Sequence, residues 1–355
     1  MWFRGVSAER ALLGAVLLDP AGQQRALDLV QADDMCRPWN AQVLEAMWRV
    51  RDQDALPDPL AVYRELQNDP DLPPSVARDA VPLAELMEAA PRARHAPAYA
   101  VMVVESGIRN RLCIAGCRMV QASETGELEP AWRMAVQAHN EVDACTARWL
   151  ALPAPLRREL RGETIAAATT PGSQRAEAQI PRPGGEEAVV AGGAAVRDLA
   201  AAPVRLAAVR GWLHPEHFAR PEDGALYAVM RDMDATGMPV DPVTVTWEAA
   251  RHGVDAEPGS LTGGMGPFAE ASAREVYRHA QLAHVAQTGR DIQDAAISPR
   301  SSPRQLLRMA GDRLRTLETQ AAPRTAPVRE NAHPLSGRAA AARCAAVEPE
   351  REAAQ

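Results

Sequence analysis

The sequence predicts an all-α protein built as two tandem small helical globules, each followed by a helical hairpin, and three observations carry that reading. Hydrophobic residues make up 46% of the chain, yet only three Phe and four Tyr are among them. An apolar content dominated by Ala and Leu suits packed helices better than a sheet of β-branched and aromatic residues. Apolar positions also recur at threes and fours along most of the chain, the spacing of a single helix face. The third observation is an internal repeat. Shifted by 183 positions, Arg37, Pro38, Met47, Asp58, Pro59, Val62 and Glu65 fall without a gap on Arg220, Pro221, Met230, Asp241, Pro242, Val245 and Glu248. Each stretch has a proline able to open one helix and an Asp-Pro pair able to open the next. Asp accepts a hydrogen bond from a free first-turn N–H, and Pro gives up an N–H that had no partner.

Each element follows from local chemistry. Ser7 is a plausible N-cap for a first helix with Leu12, Leu13, Val16 and Leu17 on one face, ended by Asp19-Pro20. A short helix near 23–31 presents Ala26, Leu27 and Val30. The repeated unit is then a helix from Pro38 to Arg51 with Val43, Leu44, Met47 and Val50 inward, and a helix 58–66 with Leu60, Val62 and Leu66 inward. Leu83, Leu86 and Met87 resume the pattern before Pro91 and Pro97 break it. Two long helices follow, about 98–122 and 131–150, joined by a short polar loop; such an αα-hairpin has two apolar stripes that need each other or a partner. Residues 152–185 are rich in Pro, Gly, Ser and Thr and read as a linker, with one helical turn at 156–161.

The second copy begins at Glu186. Its opening, Glu187 to Gly192, matches Glu9 to Gly14 at a shift of 178, which implies five extra residues before the second anchor. A long helix at 267–296 and another at 304–319 form the second hairpin. The expected domains are therefore 1–150 and 186–320, with a linker at 151–185 and a disordered, Pro-, Arg- and Ala-rich tail at 321–355.

Composition excludes several chemistries. All 39 basic residues are arginine, so neither a phosphate-binding P-loop nor Schiff-base catalysis has its lysine. A net charge of −7 argues against a general nucleic-acid coat. Five Cys without a paired framework suit reduced thiols, and no apolar run approaches the roughly 20 residues of a membrane span. The expectation is a soluble, cytoplasmic protein without membrane contact.

Particular residues then point to a family. The first copy carries Glu9, Leu12-Leu13-Gly14, Leu17-Leu18-Asp19, Pro82-Leu83-Ala84-Glu85-Leu86, Pro91 and Tyr99. The second carries His217-Phe218, Leu226-Tyr227, Met230, Gly237, Pro239, Asp241, Thr244-Val245 and Gly253. In this order they resemble the N-terminal domain of DnaB-type replicative DNA helicases, each copy filling gaps in the other over about 7–149 and 186–317. The resemblance implies a collar module: in that family these domains pair through their hairpins above a separate RecA-like motor, and primase docks on the collar. No G-x-x-x-x-G-K-[ST] motif is present, so helicase chemistry, ATP and other cofactors are not expected. The expected function is a non-catalytic interaction module of DNA replication that binds a helicase, a primase or itself. Two fused copies would supply in one chain the pairing that separate subunits supply in the family.

The residues expected to carry that contact are Ile108, Leu112 and Met119 on the first hairpin and Leu282, Val285 and Ile292 on the second. Two alternatives stand beside this: a DNA helicase subunit whose ATP-binding motor would have to lie in another chain, and a nucleic-acid-binding accessory protein. Arg300, Arg304, Arg308 and Arg315 fall within about 80° on a helical wheel, and 298–329 has a local balance of +5; Arg109, Arg111 and Arg118 are a looser set. No aromatic residue is interleaved for base stacking. Cys113, Cys117, His139 and Cys145 suggest a zinc site across the hairpin, but lack the usual C-x₂-C knuckle, so small thiols in a tight seam are the preferred reading. His214 and His217 in the HPEH run suit a capping or partner-facing role, and Asp33-Asp34 and Glu186-Glu187 sit at helix starts. No nucleophile, base and orienter occur together, so no catalytic residue is expected.

Overall fold

A computed structural model describes residues 2–70, 72–73, 75, 79–161 and 181–320. The expected disordered tail and residues 162–180 of the expected linker lie outside the described residues. Among the described residues the chain is all helical, with no strand.

The first globule opens with α1 (Trp2–Leu18), which begins more than a turn and a half before the start that the Ser7 cap suggested. Asp19 does not only end α1: its carboxylate accepts from the Gly22 N–H at 3.1 Å and caps a short α2 (Pro20–Gln23). Two 3₁₀ turns, Gln24–Leu29 and Ala32–Asp34, lead into α3 (Pro38–Asp52). Asp58 accepts from Leu60 and Ala61 N–H at 2.9 and 2.8 Å and starts α4 (Pro59–Gln67). Leu60, expected inward, is exposed, because the cap fixes it at the outer edge of the first turn. After α5 (Val81–Glu88) come the long α6 (Ala96–Glu124) and α7 (Leu128–Ala151). Both begin earlier than the proline signals suggested, since Pro97 and Pro130 sit inside first turns where no N–H is needed. The expected turn at 156–161 is a full α8 (Ala154–Arg161).

The second half has the turns Pro258–Leu261 and Gly266–Phe268 where the first half has α5. It consists of α9 (Glu186–Ala201), a short α10 (Leu206–Val209), α11 (Pro221–Thr236), α12 (Pro242–Arg251), α13 (Ala269–Ile297) and α14 (Pro303–Gln320). Positions 183 apart are buried alike. Leu12, Leu13, Val16, Met47 and Val62 correspond to Ala195, Val196, Leu199, Met230 and Val245, all buried. The same shift holds at the opening helix, which overturns the expected 178 and its five extra residues. The Glu187 side of α9 faces solvent, and Gly192 occupies the place of Glu9. Sequence identity had favoured a register that burial does not.

Asp54 and Gly237, also 183 apart, both take the left-handed conformation just after their helices, with φ of 58° and 72°. The following N–H reaches back to Val50 O and Met233 O respectively, satisfying orphan carbonyls.

The four hairpin helices form the centre. Helices α6, α7, α13 and α14 contact one another as an antiparallel bundle, with α6 on α13 and α7 on α14 across the two halves. One continuous core runs through the first globule and the whole bundle, including Leu282, Val285, Ile292, Leu306, Ala310 and Leu317. The second globule has its own core around Phe218, Tyr227 and Met230.

Candidate functional site

The seam between the hairpins is set by two glycines. A Cβ on Gly116 would lie 2.5 Å from Gly289 O, and one on Gly289 would lie 2.7 Å from Gly116 O. Only a residue without a side chain lets the two backbones approach so closely. The flanking contacts are reciprocal: Gly116 meets Gln293 and Gly289 meets Val120, each at about 3.2 Å. With positions 173 apart taken as equivalent, Gly116 corresponds to Gly289 and Val120 to Gln293. Each glycine thus meets the equivalent of what the other meets, the signature of an isologous two-fold contact, here within one chain.

Two arginines tie the ends of this seam. Arg109, buried on α6, donates to Ala296 O at 3.2 Å, to Ser298 O at 2.9 Å and to Ser301 O, and pairs with Glu105 at 3.0 Å. Burial lowers its pKa. From α13, Arg278 donates to Gly126 O in the loop after α6. Each long helix therefore sends a guanidinium to the turn of the opposite hairpin. In the outer layer His139 Nδ1 lies 2.7 Å from Glu318 Oε1, joining α7 to α14.

Ile108, Leu112, Met119, Val285 and Ile292 are fully buried and Leu282 nearly so, all in the core shared by the two hairpins. In this conformation their apolar area is covered by the chain itself and none is presented outward.

The joint between each globule and its hairpin differs between halves. In the first, buried Asp34 accepts from Gln31 N–H at 2.9 Å and pairs with Arg148 of α7 at 2.6 Å and Arg111 of α6 at 3.4 Å. The position 183 further on is His217, whose Nδ1 accepts from the His214 N–H at 3.1 Å. Its ring meets Tyr277 edge-on at 5.3 Å. The partner of Arg111 at a shift of 173 is His284. Burial pushes both His217 and His284 down to about 4, so this joint is neutral where the first is ionic. His217 thus has the capping role expected of the HPEH run, on the inside of the fold.

The remaining candidates are dispersed. Cys113 and Cys117 face each other on α6, and Gln293 donates to Cys117 Sγ at 3.1 Å. Cys145 is buried beside Glu141 and pushed up to about 12, chiefly by burial. His139 is taken by Glu318. Among the described residues no group of three or more His, Cys, Asp or Glu is placed to hold a metal ion. Of the Arg stripe, all four side chains are exposed, but Arg300 lies before α14 in the turn and so is not on the wheel. Arg308 and Arg315 share Asp312, at 3.8 and 2.7 Å.

Glu9, which sequence offers only as part of the family resemblance, has a structural role that helical spacing did not reveal. This buried carboxylate accepts from Cys36 N–H at 2.7 Å, Arg37 N–H at 3.4 Å and Asn40 Nδ2 at 2.8 Å, closing the start of α3. Its signal was an acid at an apolar register position of an amphipathic helix. No described helix is long and apolar enough to cross a membrane.

Comparison with known proteins agrees with the family named from sequence. The DnaB-like helicase N terminal domain family matches residues 4–105 and 193–263. The replicative DNA helicase DnaB of Geobacillus stearothermophilus is 32% identical over 126 residues, which are 36% of this chain and 27% of that protein. The match therefore spans about a quarter of that relative's length. The crystal structure of the N-terminal domain of DnaB helicase from Mycobacterium tuberculosis is 27% identical and covers 40% of this chain and 94% of its own, with a TM-score of 0.31.

Proposed function

With residues 4–105 and 193–263 related to the DnaB-like helicase N terminal domain, we propose that the chain is a non-catalytic assembly module of DNA replication. In this reading its two halves are copies of one collar-type domain that pair with each other inside one chain. The observation that carries it is the reciprocal Gly116–Gly289 crossing, where equivalent positions of the two halves meet. Ile108, Leu112, Met119, Leu282, Val285 and Ile292 then act in self-association, as the buried seam of the fused pair. Contact with a replicative helicase or primase falls to surfaces outside the seam. Without a lysine to complete a P-loop the module hydrolyses no ATP.

Light scattering of the purified chain, alone and mixed with the replicative helicase and primase of its own cell, tests this. A monomer of 38.2 kDa that joins either partner is the expected result. A stable self-dimer that ignores both would overturn the reading.

A further inference from the structure

The two hairpins differ on their outer faces, and the difference marks a site. A groove of about 560 Å³ runs between α6 and α7 of the first hairpin. Its floor is small and buried, Ala115 and Ala138; its walls include Ile114, which is exposed, and Met134. Arg118 stands exposed at its edge, and among the described residues no carboxylate pairs with it.

The second hairpin carries a charge pair at the corresponding place. At a shift of 173 along the first hairpin helix, Ile114 and Arg118 correspond to Gln287 and Asp291. Along the second hairpin helix burial matches at a shift of 175: Ala131, Trp132, Ala135 and Val142 correspond to Leu306, Leu307, Ala310 and Leu317, all buried. Ala138 therefore corresponds to Arg313. In the second hairpin Arg313 crosses to Asp291 at 3.3 Å, and Gln287 donates to Asp291 at 2.8 Å. That ion pair spans the two helices of the second hairpin. In the first hairpin the charge is inverted, the crossing side chain is reduced to a methyl group, and the supporting amide is replaced by an apolar chain.

We propose that the groove between α6 and α7 binds an amphipathic helix of a partner protein, which sets a carboxylate against Arg118 above Ala138 and an apolar side chain between Ile114 and Met134. The partner carboxylate supplies, with reversed sign, the charge pair that Arg313 and Asp291 make in the other hairpin. A helix presenting an acid and apolar residues on one face suits a two-helix groove with a small-residue floor. Arg111 is not free for this role, since Asp34 and Glu141 already hold it. This assignment rests on the module being a protein-interaction unit, and it names the surface left available once the seam is closed.

The probe is a fluorescein-labelled amphipathic helical peptide of about 18 residues with leucines and one central glutamate on one face, compared by anisotropy with the same peptide carrying glutamine. The glutamate peptide is expected to bind the full chain about three- to fivefold more tightly, the weight of one exposed charged pair. Arg118→Gln, at an exposed position, should erase that preference. Arg118→Asp, a charge reversal at an exposed position, should invert the preference so that the glutamine peptide binds better than the glutamate peptide, at unchanged melting temperature. Equal binding of the two peptides, no saturable binding, or indifference to both variants would overturn the proposal. Single-stranded DNA that bound in an Arg118-dependent way while neither peptide did would overturn it too. Light scattering of Arg118→Gln separates the two readings, because the groove lies off the seam and its failure leaves the monomer mass unchanged.

Discussion

At the scale of single residues, the two halves solve the same burial problems with different chemistry. The first closes the start of α3 with Glu9 from α1 and Asn40 from α3 itself. In the second, Gly192 and Asp223 stand at those positions, so the carboxylate has moved from the opening helix onto α11, where its Oδ2 is buried against Gly192. Burial raises the pKa of Asp223. The Asp34 hub is the costlier arrangement to break. Asp34→Ala leaves Arg148 buried without its carboxylate and is expected to cost about 3–5 kcal/mol, measured by denaturant unfolding. The neutral joint answers to pH instead. His217 and His284 are held down at about 4 against an ordinary 6.5, mainly by burial. Between these values the unfolded chain binds more protons than the folded one. Their contribution is therefore complete above pH 6.5 and is lost as pH falls toward 4, on the order of 3 kcal/mol each. The groups facing them are His214, Glu216, Arg313 and Asp291. Melting temperature should fall over that interval, and fall less in His217→Asn with His284→Gln.

Among the elements, the α6–α13 crossing is the most constrained. Close approach of two backbones at Gly116 and Gly289 leaves no space for a side chain on either. Gly116→Leu must push α13 away, and because the obstacle is a backbone carbonyl rather than a flexible side chain, the cost is expected to exceed the usual 1–3 kcal/mol or so of overpacking. Calorimetry checks this, with Gly311→Ala on α14 as a tolerant control, since a Cβ there meets no atom closer than 3.7 Å. The cap boxes are milder. Asp241 accepts from Val243 and Thr244 N–H at 2.8 and 3.1 Å, and the backbone bond from Thr244 lowers its pKa. Asp241→Ala should lower the urea midpoint, and Asp241→Asn, which keeps a capping acceptor, should lower it less.

Across the whole molecule the cores do not divide where the sequence does. The bundle, including α13 and α14, shares its core with the first globule, while α9–α12 pack around a separate one. Hydrogen exchange is expected to report two cooperative units. Amides of α9, α11 and α12 should open together and earlier, and those of α6 and the central and C-terminal part of α13 together and last. Simultaneous opening of the whole chain would contradict that division.

The sequence by itself determined the helical class, the order of elements and most helix boundaries, because caps, prolines and apolar spacing act within a few residues of one another. Asp58-Pro59 and Asp241-Pro242 start helices wherever the rest of the chain lies. It also marked Ile108, Leu112, Met119, Leu282, Val285 and Ile292 as apolar stripes that need a covering. What covers them was decided only in three dimensions, because a stripe records that water must leave and not which surface replaces it. The register of α9 was likewise tertiary: two matched letters, Glu187 and Gly192, favoured one alignment, and burial against α13 and α11 selected another. Glu9, Asp34 and the pair Gly116 and Gly289 take their meaning from partners 27 to 173 positions away, a distance over which local spacing carries no information.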